Sequence, residues 1–179
     1  MMNVILLLLG LCVLGLLVMT VYAFLKPTDG AQVMVEERSP LTLESLDKKH
    51  AVLSFTVPLR NNGGEIAAIT DCFLRPYLPQ EQFPDAVAWG RVEKDDRRRS
   101  DNYFEALVLQ PHEAWTLVVT LVLSARDGKD MREVLSHLVD MDAAVYLCGV
   151  GRKAHYVRKY FVTILGAEVR KLAGGAYNG

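Results

Sequence analysis

Residues 114–125 read AWTLVVTLVLSA. Trp115, Leu117, Val119, Leu121 and Leu123 fall on one side of an extended chain, and Thr116, Thr120 and Ser124 on the other. A period of two with aromatic and β-branched residues predicts a strand, apolar side inward. QPHE (110–113) reads as the turn before it, and YFEALVL (103–109) as the strand before that turn. Downstream, DGKDMREVLSHLVDMD (127–142) changes to helical spacing. Met131, Val134, Leu135 and Leu138 share one face, with Asp127 or Asp130 as the cap.

Working outward, most other segments read as strands. AVLSFTVPLR (51–60) alternates cleanly, and Pro58 places it at an edge or a bulge because proline donates nothing to a ladder. NNGG (61–64) is a hairpin-type turn. EIAAITDCFLRPY (65–77) is a strand of mixed facing, and RPYLPQEQFPD (75–85) an irregular loop. AVAWGRV (86–92) reads as a short strand and KDDRRRSDN (94–102) as a charged loop. AAVYLCGV (143–150) and AHYVRKYFVTIL (154–165) are strands around the turn GRK. Val33-Met34-Val35 is a first strand, LTLESLDKKH (41–50) is polar and ambiguous, and GAEVRKLAGGAYNG (166–179) reads as a frayed tail. No β-α-β alternation supports a parallel sheet. The expectation is mainly β: an antiparallel two-sheet sandwich of about seven strands with one helix, preceded by a single transmembrane helix.

That preceding helix rests on residues 4–25, which carry no charge and include ILLLLGLC (5–12). As a helix they span about 33 Å, enough for a bilayer core of about 30 Å. A secretory signal has a basic start and a shorter apolar run, whereas this chain starts Met-Met-Asn. A lipid-attachment cysteine follows a small residue, whereas Leu11 precedes Cys12. Tyr22 and Lys26 suit the interface, and Pro27 stops the helix. A retained single-pass anchor is therefore expected, a signal-anchor contacting membrane lipid. The division is residues 1–26 anchor, 27–32 linker, 33–166 sandwich and 167–179 flexible tail. Lys26 and Arg38 lean toward a cytoplasmic domain. The sandwich reading points to an extracytoplasmic one, and that is the placement expected.

Composition narrows function more than it defines it. A net charge of −1 and a pI near 6.4 give no electrostatic footprint for nucleic acid. The three cysteines form no Cys-x-x-Cys pair; Cys72 and Cys148 lie in apolar strands and are the one possible disulfide. His137 with Asp140 and Asp142 is the one His/carboxylate cluster, better read as a helix-end cation than as a metal site. GVGRK (149–153) lacks the hydroxyl and the following helix of a phosphate loop, and reads as a turn. No catalytic acid, base and nucleophile stand together, so no enzyme is expected, and no cofactor or metal.

Three features remain as possible partner contacts. Arg97, Arg98 and Arg99 lie in the densest charge block, although Asp95, Asp96 and Asp101 offset them and internal pairing is the simpler reading. Pro76, Tyr77 and Pro79 form a Pro-x-x-Pro run, which otherwise is a stiff loop. Tyr156 and Tyr160 alternate with Arg158 on one face of the last long strand, opposite Val157, Lys159 and Phe161. Charges on both faces mark a protected edge, or a site where a partner adds a strand.

LQPHEAWTLVVTLVLS followed by MREVLSHLVDMDAAVYLCG resembles fibronectin type III-like sandwiches. It is also similar to the water-stress and hypersensitive-response domain of late-embryogenesis-abundant proteins. The Asn-Pro-Asn that often ends an early strand in the latter family is absent; Arg60-Asn61-Asn62-Gly63 stands there. The resemblance implies an immunoglobulin/fibronectin-like fold that binds or supports other molecules and rarely catalyses. It assigns no functional residue. The expected function is a membrane-anchored binding or scaffolding module with a protein partner, an accessory of the cell envelope. The alternative is a binder of lipid or another apolar small molecule in a cavity between the sheets.

Overall fold

The computed structural model describes residues 2–25, 28–99, 101, 103–151 and 155–175. The chain opens with helix α1 (Met2–Leu25), exposed along its length and long and apolar enough to cross a membrane. Nine strands follow: β1 (Ala31–Val33), β2 (Thr42–Leu46), β3 (His50–Asn61), β4 (Ala67–Tyr77), β5 (Ala86–Lys94), β6 (Leu107–Leu109), β7 (Ala114–Ala125), β8 (Met141–Val150) and β9 (Tyr156–Ile164). Helix α2 (Met131–Ser136) lies between β7 and β8, and α3 (Gly166–Gly175) follows β9.

The strands form two antiparallel sheets, as expected. One has the order β1-β3-β7-β5, with β2 also on β3; the other is β6-β4-β8-β9. Their inner faces meet in a core that includes Leu53, Phe55, Leu59, Ile69, Leu117, Leu121, Leu123, Val145 and Leu147, all essentially fully buried. Strand β7 is central and pairs with β3 through eleven consecutive registers from Ala114 to Ser124. Its inward set is the one the alternation predicts. Thr120 does face outward, but it is fully buried, because Arg91 and Ser54 flank it in register.

Several expectations need correction. Among the described residues there are nine strands where about seven were expected, and LTLESL supplies one of the additional ones, β2. Strand β3 is internal, so Pro58 does not mark an edge. Its carbonyl accepts the Met34 amide at 2.8 Å, which puts its missing N–H in the gap between β1 and β2, where no ladder bond is lost. Opposite that gap, Ser39 serves Thr56: its N–H reaches the Thr56 carbonyl and its hydroxyl accepts the Thr56 N–H. The mixed facing of β4 comes from a register shift between Ile69 and Asp71, after which the buried positions change from odd to even numbers. The segment expected as a strand over 103–109 is strand only at Leu107–Leu109.

The linker and tail boundaries also move. β1 begins inside the expected linker, at Ala31. The expected tail is helix α3 as far as Gly175. Val169 is fully buried, Glu168 accepts from the Arg38 guanidinium and the Leu41 amide (both 3.1 Å), and Arg170 donates to the Leu138 carbonyl. Residues 176–179 lie outside the described residues. The helical spacing expected over 127–142 gives only the six-residue helix α2, capped by Asp130, whose carboxylate accepts the Arg132 amide at 2.9 Å; Met131, Val134 and Leu135 on it and Leu138 beyond its end are all fully buried.

Candidate functional site

The outer face of the four-stranded sheet is the surface least explained by folding. Register places Phe73, Tyr146 and Lys159 in one row across β4, β8 and β9, and Arg75, Ala144 and Phe161 in the next. Phe73 stacks on Tyr146 with ring centres 4.9 Å apart and planes within 6°. The Tyr77 and Tyr146 hydroxyls are 3.0 Å apart, and Phe161 lies tilted against Tyr77. Into this cluster runs Lys159, its ammonium 4.3 Å from the Phe161 ring centre, 5.0 Å from that of Tyr77 and 5.4 Å from that of Tyr146. Hydrogen bonding to Tyr77 and Tyr146 holds the Lys159 ammonium above its usual pKa. The Tyr77 phenol is held below its own, by the Tyr146 hydroxyl first and Lys159 second. Phe73, Tyr77 and Phe161 are nevertheless exposed. Clustered aromatic residues left exposed are enriched at protein-binding surfaces, although lysine is not.

Of the residues singled out from sequence, Tyr77 alone stands in this cluster. Pro76 pairs in register with Ala143 near the end of β4. The Pro79 carbonyl accepts the amides of Gln82 and Phe83, closing a turn that buries Phe83. Tyr156 and Tyr160 point to the inner side of β9, which is an edge strand as expected. Burial first, and Asp29 second, push the Tyr156 phenol up; burial also raises Tyr160. Cys72 and Cys148 are on neighbouring strands, but both are free. Cys72 is in register with inward Leu147 and Cys148 with outward Asp71, so the thiols lie on opposite faces of the sheet and the possible bridge between them is not formed.

The arginine block lies on the other outer face, that of the five-stranded sheet. At its centre is Glu93, only 3% exposed, a residue the sequence reading passed over. Its carboxylate accepts the Arg91 side chain at 3.0 Å and the Arg99 backbone amide at 2.5 Å, and stands 3.9 Å from Arg98. Arg98 also reaches Glu44 at 2.9 Å, Arg97 reaches Glu105 at 2.9 Å, and Arg99 clasps Asp101 at 2.6 and 3.0 Å. The Arg99 guanidinium holds the Asp101 carboxyl down at about 2. All three arginines are thus engaged within the fold.

Among the described residues no group of three or more His, Cys, Asp or Glu is placed to hold a metal ion. His137 bonds Asp85 at 3.0 Å, while Asp140 accepts from the Gly166 amide and Asp142 from the Thr163 hydroxyl, so the sequence cluster is dispersed. Gly149 and Val150 end β8, and residues 152 and 153 of the GRK turn, with residue 154 of the strand expected after it, lie outside the described residues. At one end of the sandwich, Glu93, Lys94, Leu107 and Trp115 line a cleft of about 20 Å³, room for one water molecule.

No protein-family model matches the chain, and no curated protein matches it. Solved structures that it resembles include a FixG-related protein from Vibrio parahaemolyticus, at 11% identity and TM-score 0.32, covering 71% of this chain and 96% of that one. A protein from Archaeoglobus fulgidus gives 11% identity and TM-score 0.34, with 74% and 98% covered. The GAE domain of GGA2p from Saccharomyces cerevisiae gives 6% and 0.30, with 70% and 98% covered. Likenesses this distant carry no functional argument. The similarity to fibronectin type III-like and late-embryogenesis-abundant domains goes no further here than the two-sheet architecture.

Proposed function

We propose that this chain is a membrane-anchored binding module. Helix α1 stays in the bilayer as its anchor, and the open face of the four-stranded sheet engages a protein partner. The observation that carries this reading is the Phe73–Tyr146–Tyr77–Phe161 cluster around Lys159, left exposed on a domain that follows a helix of membrane length. Arg75 and Lys159 have no carboxylate within ion-pair distance among the described residues, so the partner surface is expected to bring acidic groups. An anchor raises the local concentration of the domain for neighbours in the same membrane. The module works by binding, not catalysis, with no cofactor. We place the sandwich on the extracytoplasmic side, following the envelope setting implied by its fold class, against the two cations Lys26 and Arg38. Protease protection of a tag after Gly179 tests the side.

The partner reading is tested by photo-crosslinking in native membranes. A benzophenone at position 161 should give a discrete protein adduct that Lys159→Glu abolishes, while one at position 89, on the opposite outer face, should give none. Equal labelling from both positions would remove the case for a working face. The apolar-ligand alternative draws no support from the cleft of Glu93, Lys94, Leu107 and Trp115, which holds about one water.

A further inference from the structure

Nearer the start of the sandwich, the same outer face carries a second group of exposed residues, aliphatic where the first is aromatic. Val108, Ala68 and Val150 lie side by side across β6, β4 and β8, with Ile66 just before β4 and Val157 beside Cys148. Ile66 is 51% exposed, Val108 48%, Val150 42% and Val157 54%. Chain geometry says what lies opposite them. The residues that enter the sandwich from α1 are clamped at this end. Asn61, fully buried, accepts the amides of Gly30 (2.9 Å) and Gly63 (3.1 Å) on its side-chain oxygen and donates to the Glu65 carbonyl at 2.7 Å. The Gly30 and Gly63 backbones are so close that a Cβ on either would collide with the other. Asp29 packs against Gly151, the residue after Val150, and Arg158 pairs with Asp29 and donates to the Ala31 carbonyl. From Leu25 to Thr28 the chain reaches at most about 11 Å.

The rim of the sandwich is therefore held within about a headgroup layer of the end of α1. We propose that this aliphatic rim, Ile66, Val108, Val150 and Val157, is a lipid contact that seats the sandwich on the bilayer surface. The inference rests on the anchor reading of α1. Four aliphatic side chains at membrane height offer no hydrogen-bonding group, and the acyl boundary demands none. Glu113, at the same end, has its carboxylate engaged by the Gln110 amide and the Trp115 ring N–H. The strands then rise from the membrane, and Tyr146 and Phe161, four residues along from Val150 and Val157, stand about 13 Å above the rim. That height presents the aromatic cluster to the membrane-proximal part of a protein neighbour.

The test is spin-label accessibility on the full chain in phosphatidylcholine nanodiscs. Native Cys12 carries one label; single labels at Val108→Cys, Phe161→Cys and Trp89→Cys are placed on a Cys12→Ala background, where Cys72 and Cys148 are buried. Labels at 12 and 108 should be relaxed more by oxygen than by a water-soluble nickel chelate, and labels at 161 and 89 the reverse. A lipid signature at 12 with an aqueous one at 108 overturns the seated rim and leaves the anchor standing. Aqueous signatures at both 12 and 108 overturn the anchor as well. Shielding of position 108 from both reagents only after membrane proteins are added gives the rim to a protein and also overturns the proposal.

Discussion

The two outer faces of this sandwich solve the same problem in opposite ways. On the five-stranded sheet, outward Val118 and Thr120 are buried in register with Glu93 and Arg91, whose charges are neutralised within the fold, Glu93 with Arg91 and Arg98, and Arg98 with Glu44; Trp89, in register with Val122, is the aromatic left exposed there. On the four-stranded sheet, Phe73, Tyr77, Phe161 and Val157 remain exposed, and Arg75 and Lys159 have no carboxylate within ion-pair distance among the described residues. Charge is thus not a guide to which face is left open here. The densest charge block in the chain closes a face, and the face left open is mostly aromatic and aliphatic.

The largest expected effect tests the closed face. Glu93→Ala removes an enclosed carboxylate, strands the Arg99 amide and leaves Arg91 uncompensated, at a cost of about 2–3 kcal/mol. The cost stays below that of a fully enclosed pair because Arg98 is partly solvated. Urea unfolding should show a lower midpoint at unchanged slope. Phe161→Ala on the open face should cost under about 0.5 kcal/mol while weakening partner binding. If Phe161→Ala destabilises as much as Glu93→Ala, the distinction between the faces fails.

The next effect concerns acid. Glu168 ties α3 to the edge of the closed sheet. Burial pushes its carboxyl up, but Arg38 and the Leu41 amide outweigh that and hold it below its usual value of 4.5. A carboxyl lowered on folding stabilises above its unfolded value, and that stabilisation is lost as pH falls through the folded one. The protection of α3 amides, relative to their intrinsic exchange at each pH, should therefore fall below about pH 4.5 before the sheets open. Glu168→Gln should show the faster exchange already at pH 7. Early loss of protection in β4 or β8 instead would make the open face the weaker one.

How much of this was legible follows from what a period can report. β7 and the buried face of α2 were readable because their alternation and spacing coincide with burial. β4 was not, because one shifted residue near Thr70 reverses its facing halfway. Glu93 carried no signal: a lone acid at an outward strand position reads as solvated, and only the fold brings Arg91, Arg98 and the Arg99 amide around it. The aromatic cluster draws Phe73 and Tyr77, Tyr146, and Lys159 and Phe161 from three strands, so no local window contains it. In α3, Val169, Leu172 and Ala173 do share a helical face, but the surrounding glycines hid the pattern.

The smallest effect is also the most local. On the open face Tyr77 is held below an ordinary phenol, by the Tyr146 hydroxyl first and then by Lys159. A phenol lowered in this way ionises earlier as pH rises, so ultraviolet titration should show one tyrosine leaving ahead of the rest. Tyr146→Phe removes the larger cause and should delay that step more than Lys159→Met, which removes the smaller. Neither change should shift the unfolding midpoint measurably, since Lys159 is exposed and phenylalanine keeps the Tyr146 ring on Phe73. Tyr156 and Tyr160, raised by burial on the inner side of β9, should ionise last, giving an internal reference from the same sheet. If the early step survives both substitutions, the cluster does not set it. Lys159 would then be free to swing toward a partner's acid without disturbing its neighbours, and the aromatic rows alone would define the surface.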